Sequence, residues 1–346
     1  MSFFDRFSLG SSDMAIDLGT ANTVLYVRGR GIVLAEPSVV ALETINGAPQ
    51  VLAVGVGAKT MMGKTHNSLK VARPMRHGVI SDIEVAELMI KHFMAQAHGD
   101  QPMLRGRDVV LCVPSGATGV ERRALRDAAS NAGAKRVWFV DHVMAAAIGA
   151  DLPVTHPVGS MIVDIGGGTT EVGVISLGGI NMSMSARVGG DNIDEAISAH
   201  VRRSHNMLIG EATAERVKIK LGTAKMEPQG KLPQTTVKGR DLANGVPAQI
   251  TLSQDEVAMA IADCVGQIVQ VVLTTLERIP PEIAADIMGT GIIMAGGVSL
   301  LPHIDAVMTE ATGLPVSIAA DPLNCVALGA GRAIEDPTYR SLLQPA

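Results

Sequence analysis

Cysteine is scarce in this 346-residue chain: Cys112, Cys264 and Cys325 stand far apart and outside any CxxC spacing. An odd number so placed excludes a disulfide frame and a cysteine zinc site, and predicts a reducing compartment. Aromatic residues make up only 2%. Positive charge is not in excess: the formal net charge is −5, which argues against nucleic-acid binding through bulk charge. No apolar run approaches the roughly 20 residues of a membrane span. No basic start followed by a long apolar stretch marks a secretory signal. A cytoplasmic protein with a buried core is expected. The hydrophobic fraction, 47%, is ample for that core, and the length suits two domains of ordinary size.

Short apolar strands alternate with longer amphipathic stretches, the pattern of an α/β protein. A hydroxyl and a carboxylate three residues apart form capping boxes at Ser81–Glu84, Thr118–Glu121 and Ser253–Glu256. The third opens a helix with Val257, Ile261, Val265, Ile268, Val272 and Leu276 on one face. Gly133 suits the C′ position after the second. The stretch from Met226 to Gln249, rich in Pro, Gly, Gln and Lys, reads as loops and short strands of an insert.

An internal repeat carries the most information. Ile16-Asp17-Leu18-Gly19-Thr20-Ala21-Asn22-Thr23 matches Val163-Asp164-Ile165-Gly166-Gly167-Gly168-Thr169-Thr170 at an offset of 147 residues. Each copy is an apolar strand, an Asp, an apolar residue, a glycine turn and a Thr, followed by a second strand. One offset of that length means a duplicated domain and not a solenoid. A strand that ends in a tight glycine turn presents backbone N–H groups at its tip, and glycine lets that backbone approach an anion closely. Thr and Asn side chains add donors. The Asp repels phosphate, so its expected role is to hold Mg²⁺ through water. Two such turns would grip a triphosphate from both sides. An isolated Asp-x-Gly turn would be read as a simple hairpin; two matched copies half a chain apart displace that reading. A third glycine site, Gly296-Gly297, follows the strand Ile292–Ala295 and precedes a helix expected from Leu300 to Ala311 with Pro302 in its first turn. It is a candidate adenosine seat. The segment Ala58-Lys59-Thr60-Met61-Met62-Gly63-Lys64-Thr65 imitates a Walker A loop, but it lacks the first glycine and a good helix start after it.

Together these residues resemble the actin, sugar-kinase and heat-shock-chaperone ATPase superfamily, and within it the MreB family of bacterial rod-shape actins. The resemblance covers nearly the whole chain. It is carried by Ile16 to Thr23, Glu36-Pro37-Ser38-Val39-Val40, Val113-Pro114-Ser115-Gly116-Ala117, Val163 to Val172, Val188-Gly189-Gly190-Asp191 and Thr213-Ala214-Glu215-Arg216. It implies an actin-like α/β fold: two duplicated ribonuclease-H-like domains with two smaller inserted subdomains. Subdomain IA would take 1–33, 76–150 and 321–346, and IB 34–75. Subdomain IIA would take 151–187 and 249–320, and IIB 188–248. ATP or ADP with Mg²⁺ is the implied ligand. Gly19, Thr20, Ala21, Asn22 and Thr23 would form the first phosphate loop, and Gly166, Gly167, Gly168 and Thr169 the second. Gly190 lies beside it, Glu215 and Lys218 would face the ribose from one helix turn, and Gly296 and Gly297 would line the adenosine. Asp17 and Asp164 would hold the metal through water. Asp164, Thr169 and His142 are the implied catalytic residues. The Gly189-Gly190-Asp191 run also reads more simply as the cap of a helix beginning at Asn192.

Two departures from the family pattern stand out. The segment Asp141-His142-Val143-Met144-Ala145-Ala146-Ala147-Ile148-Gly149 carries His where the family usually has the Glu that positions or activates water. A neutral imidazole offers one acceptor and no negative charge, so hydrolysis is expected to be slow while nucleotide binding persists. Ala295-Gly296-Gly297-Val298 replaces the usual Thr-Gly-Gly-Gly.

Three of the five phenylalanines, Phe3, Phe4 and Phe7, fall on one face of a short amphipathic start, a candidate membrane anchor. Met103 and Leu104, beside Arg105 and Arg107, suit an anionic lipid surface. The resemblance implies self-assembly into double protofilaments, inner-membrane lipids as a surface, and the wall-elongation proteins MreC, MreD and RodZ as partners. It places the protein in the cytoplasm, peripheral to the inner face of the membrane. The helix Val120–Gly133 is a candidate inter-strand surface, though Val120 suits a packed position as well. A hydrolysis-impaired paralogue that copolymerises is the alternative. A small-molecule kinase of the same fold is the other, with no further Asp motif to serve as its base.

Overall fold

The computed structural model describes residues 13–45, 47–98, 107–226 and 233–346. Phe3, Phe4, Phe7, Met103 and Leu104 lie outside them. The chain divides into two compact units, Met1–Val154 with Asn324–Ala346, and Thr155–Leu323.

The first unit is built on a six-stranded sheet. Its spatial order is Gln344–Pro345, Ala134–Asp141, Arg107–Val113, Met14–Leu18, Asn22–Val27 and Gly31–Pro37. The last three strands form an antiparallel meander, and Met14–Leu18 pairs in parallel with Arg107–Val113. The core gathers Met14, Ile16, Leu25, Leu111 and Phe93 from the strands and from helix Ile83–His98. A separate three-stranded sheet holds Ala48–Val54, Val40–Ile45 and Leu69–Ala72.

The second unit repeats the plan. Its five-stranded sheet runs Gly179–Ala186, Thr170–Ser176, Ser160–Ile165, Ile292–Ala295 and Val316–Ile318. Again three strands meander, and the first of them pairs in parallel with a much later strand. The repeat is kept residue by residue: Asp17 opposes Val24 and Leu18 opposes Thr23, while Asp164 opposes Glu171 and Ile165 opposes Thr170. The sequence duplication is therefore a duplication of topology and register. The insert becomes an antiparallel hairpin, Gln234–Asp241 with Pro247–Ser253, extended by Met207–Leu208.

Helix Gln254–Leu276 buries Val257, Ile261, Val265, Ile268 and Val272, and Leu276 packs half-buried on the same cluster. Its 23 residues make it long and apolar enough to cross a membrane by length and composition, which corrects the expectation that nothing reaches that length. Asp255, Glu256 and Asp263 interrupt the apolar run without preventing a long helix. The buried face is that of a core helix.

Local expectations fared unevenly. The Thr118–Glu121 capping box forms, and Gly133 follows the C-cap with φ +112. Val120 is 80% exposed, which rules out its packed reading. Helix Ile83–His98 is capped by Asp82, whose Oδ1 accepts from the Val85 N–H at 3.2 Å. Ser81 is not the cap because its hydroxyl points to the carbonyls of Arg73 and Pro74. The helix expected from Leu300 begins at Ile304, after a 3₁₀ turn at Gly297–Leu300 and a left-handed His303; Pro302 precedes it. The Walker A imitation spans the end of the one-turn helix Val56–Lys59 and a turn, with Ala58 fully buried. The three cysteines are buried and are not joined in a disulfide.

Candidate phosphate turns and their surroundings

Asp17 lies one residue from the end of strand Met14–Leu18. The turn beyond it closes so tightly that a Cβ on Gly19 would sit 2.6 Å from the Asn22 carbonyl oxygen. Only glycine fits there. Side chains stitch the turn from within. The Ser38 hydroxyl donates to the Gly19 carbonyl at 2.6 Å and shares a 2.9 Å hydrogen bond with Thr23. The Ser38 N–H reaches the Ala21 carbonyl, and the Thr20 hydroxyl accepts from the Gly78 N–H at 3.0 Å. Thr20 and Thr23 are buried, whereas Asn22 is exposed. Thr23 thus holds the turn together from inside, and outward donors come from the backbone and Asn22.

His142 meets this turn. Its Nε2 is 3.7 Å from Asp17 Oδ1, with both side chains nearly buried. The position is fixed from two directions. Asp141 caps helix His142–Gly149, its Oδ1 accepting from the Val143 N–H at 3.2 Å and from the Ser115 hydroxyl at 2.7 Å. Burial raises the Asp141 pKa, and the hydrogen bonds from Ser115 and Val143 only partly offset that. The same helix packs backbone to backbone against Cys325–Glu335. A Cβ on Gly149 would collide with the Cys325 carbonyl, and one on Gly329 with the Ala145 carbonyl.

In the second unit Asp164 is likewise one residue from its strand end and 5% exposed. The turn closes through the Gly166 N–H to the Thr169 carbonyl at 2.8 Å. Here a helix does the stitching. The N–H groups of Gly190 and Asp191, opening helix Gly190–His205, donate to the Gly166 and Gly167 carbonyls at 3.0 and 2.7 Å. A Cβ on Gly189 would stand 2.6 Å from the Gly166 oxygen, so the helix can dock only through glycine. The helix begins at Gly190 and not at Asn192; Gly189 is its N-cap, and the Asn192 Oδ1, inside the first turn, accepts from the Gly189 N–H at 3.0 Å. The Thr170 hydroxyl donates to the Val188 carbonyl at 2.8 Å.

Gly296 lies against the same carboxylate. Its φ is +81, and a Cβ there would meet the Ile165 carbonyl and stand 2.5 Å from Asp164 Oδ1. Lys218 Nζ donates to the Gly190 carbonyl at 3.0 Å and to Asp194 Oδ2 at 2.8 Å. Two of its three N–H donors therefore hold helix Glu211–Leu221 to the turn-bearing helix. Glu215, half-buried one turn before Lys218, adds its field at Asp194. Burial is the largest influence on Asp194 and lifts its pKa to about 6, although Lys218 pulls the other way.

The arrangement suits an anion bound through backbone N–H groups, with a hard cation held by Asp17 or Asp164. Gly19, Gly189 and Gly296 admit no Cβ because the chain's own atoms lie against them, which keeps the turns tight; tight glycine turns, each following a strand that carries an Asp, fit nucleotide phosphates and Mg²⁺. Three contributors were not evident in the sequence: Ser38, Asp194 and Glu171. Ser38 lay inside a noted motif without a role. Asp194 adjoins the apolar stripe Ile193, Ile197, Val201, a signal that it faces inward. Glu171 opposes Asp164 across the hairpin and is 2% exposed; directly opposed residues share a sheet face.

Comparison with known proteins adds to this geometry. The model of the MreB/Mbl protein family matches residues 11–341. The cell shape-determining protein MreB of Escherichia coli K12 is 51% identical over 327 residues, 94% of either chain. The cell shape-determining protein Mbl of Bacillus subtilis is 42% identical over 324 residues, 94% of this chain and 96% of that one. Crystal structures of MreB5 of Spiroplasma citri bound to AMPPNP and to ADP share the fold at TM-score 0.87 and 35% identity; the first covers 96% of this chain and 98% of that one. The MamK double helical filament, at 22% identity and TM-score 0.78, shares the fold over 94% of this chain and 99% of its own.

Proposed function

The chain belongs to the MreB/Mbl family of actin-like, cell shape-determining proteins, and on that premise we propose that it polymerises with ATP into membrane-associated filaments that organise wall synthesis. The observation that carries the nucleotide reading is the matched pair of turns: same length, same register, same Asp before each. Asp17 to Thr23 and Asp164 to Thr170 are the phosphate loops. The relatives captured with AMPPNP and ADP support this ligand. Gly190 and Lys218 fix the second loop, Glu215 serves the ribose, and Gly296 and Gly297 line the adenosine side. Mg²⁺, when bound, neutralises phosphate charge; Asp17 and Asp164 are its carboxylates, acting through water.

Asp164 and Thr169 align the attacking water at the second loop. His142 occupies the water-positioning place without the negative charge of a carboxylate and contacts Asp17. Hydrolysis is accordingly slow. That contact also favours the second reading, a scaffold paralogue that holds ATP and copolymerises with a faster relative.

Filaments are double protofilaments of this chain, and the exposed Val120 on helix Gly119–Asn131 belongs to the surface between them. The protein works in the cytoplasm, against the inner face of the membrane, through Phe3, Phe4, Phe7, Met103 and Leu104. MreC, MreD and RodZ are its partners there. Pelleting combined with phosphate release tests the core of this. ATP-dependent sedimentation with slow phosphate release is the expected result. Sedimentation without any release selects the scaffold reading, and a protein that stays in the supernatant with MgATP overturns the filament reading.

A further inference from the structure

Helix Gly190–His205 begins on the second phosphate turn and ends far along the same unit. Its last turns carry two imidazoles, His200 and His205, that meet one carboxylate, Glu256, from the first turn of helix Gln254–Leu276. One donor atom from each residue lies within 4.8 Å of the other two. His205 Nε2 is 2.9 Å from Glu256 Oε1, and His200 Nε2 is 3.9 Å from the same oxygen. The rings meet edge to face with centroids 6.3 Å apart. All three side chains are mostly buried.

Two details separate this cluster from an ordinary ion pair. The first is His200 Nε2, which is buried and has no hydrogen-bond partner. A buried ring nitrogen left without a partner is costly, and Glu256 Oε1, at 3.9 Å, is too distant for a hydrogen bond. The second is the division of labour in Glu256. Its Oε2 accepts from the N–H and hydroxyl of Ser253, each at 2.9 Å, which leaves Oε1 facing the two imidazoles. The carboxylate is thus oriented from behind, as ligating carboxylates commonly are. Burial pushes the Glu256 pKa up, but the hydrogen bonds from Ser253 and His205 outweigh it and hold it below the usual range, so the oxygen is ionised at neutral pH.

We propose that His200, His205 and Glu256 form a binding site for a divalent transition metal, with Zn²⁺ the best fit. Two imidazole nitrogens and one carboxylate oxygen, with a fourth place for water, are an ordinary zinc ligand set, and hard cations such as Mg²⁺ and Ca²⁺ prefer oxygen alone. The distances suit closure. Tetrahedral ligands at about 2.0–2.1 Å from zinc stand roughly 3.3 Å apart, between the two Glu256 separations. His205 and Glu256 must open slightly from 2.9 Å, and His200 must draw in towards both, from 3.9 Å at Glu256 Oε1 and from within 4.8 Å at the other imidazole, by rotation of side chains. The C-terminal end of helix Gly190–His205 also favours a cation. Because this helix starts on the phosphate turn, an ion here would pin the far end of a helix that the nucleotide site depends on.

The test is Co²⁺ titration of the full chain, free of any histidine tag and stripped of metal, with Mg²⁺ and ADP in excess to occupy the phosphate turns. Visible absorption bands of low-coordinate Co²⁺ should saturate at one equivalent and vanish when Zn²⁺ is added. His200→Ala and His205→Ala should each weaken binding at least tenfold, while His303→Ala should leave it unchanged. Far-UV circular dichroism checks that the variants are folded. X-ray absorption of the zinc-loaded wild type, which needs no variant, should report two imidazoles and oxygen in the first shell. Absence of saturable bands, a spectrum unchanged by His200→Ala, or a cluster that takes up only protons would overturn the proposal.

Discussion

Replacing His142 by Glu restores the residue that the family pattern has there, and the structure gives the consequence a size. His142 Nε2 stands 3.7 Å from Asp17 Oδ1. A carboxylate at that distance would repel Asp17 by about 1 kcal/mol if fully screened by water and about 4 kcal/mol at the effective dielectric of a near-surface pair. Both side chains are about 15% exposed or less, so the larger figure is nearer. His142→Glu should therefore destabilise the nucleotide-free protein by about 1–4 kcal/mol, seen as a melting temperature at least about 2 °C lower. A divalent cation shared by two carboxylates cancels that repulsion. Thermal unfolding with MgATP should accordingly recover more in the variant than in the wild type, and EDTA should abolish the difference.

Catalysis follows the same logic. Phosphoryl transfer relies on positioning and electrostatics, and a Glu adds acceptor oxygens and a negative charge that an imidazole does not carry. Phosphate release from assembled His142→Glu protein should rise, by roughly tenfold or more for a residue that orients or activates water. Unchanged release in filaments that still form would refute the assignment of slow turnover to His142. An unaltered melting temperature without metal would refute the contact with Asp17 as its cause.

Three further outcomes follow from single contacts. Gly329→Ala drives a methyl into the Ala145 carbonyl and should cost about 3 kcal/mol or more, read by urea denaturation; a loss below 1 kcal/mol would mean that the two helices slide apart freely. Asp194, with its pKa raised from 3.8 to about 6, holds its proton more tightly when folded. That stabilisation is complete below about pH 4 and is lost as pH rises through about 6, by up to about 3 kcal/mol; Asp194→Asn should flatten this slope, and parallel curves for variant and wild type would refute it. Deleting residues 2–7 should abolish co-sedimentation with anionic liposomes, where filament avidity multiplies a weak anchor, and unchanged binding would remove the N-terminus from the membrane surface.

The repeat was legible because everything it needs is local. An apolar strand, a glycine turn and a Thr at the strand restart can all be read within eight residues, and the register follows from equal turn lengths. The buried stripe of helix Gln254–Leu276 was legible in the same way, from apolar spacing within one segment. What stayed hidden depends on distant partners. Ser81 and Asp82 are adjacent cap candidates, and only the carbonyls of Arg73 and Pro74 decide between them. Lys218 was visible as a residue one turn from Glu215, but its bond to Asp194 exists only after two helices dock. His142 was noticed as a substitution; that it touches Asp17 depends on a strand, a cap and a glycine crossing that no window of sequence contains.

The two turns are alike in backbone and unlike in support, and the difference has a mechanistic consequence. The first is held by hydroxyl side chains, Thr20, Thr23 and Ser38, whose hydrogen bonds each contribute about 1 kcal/mol. Losing one should loosen the turn without moving a secondary element. The second is held by the N-terminus of helix Gly190–His205, whose first N–H groups are bonded to the turn's own carbonyls. On the proposed assignment of that turn as a phosphate loop, a shift of it would pull on the helix through these bonds and reach helix Glu211–Leu221 by way of Lys218.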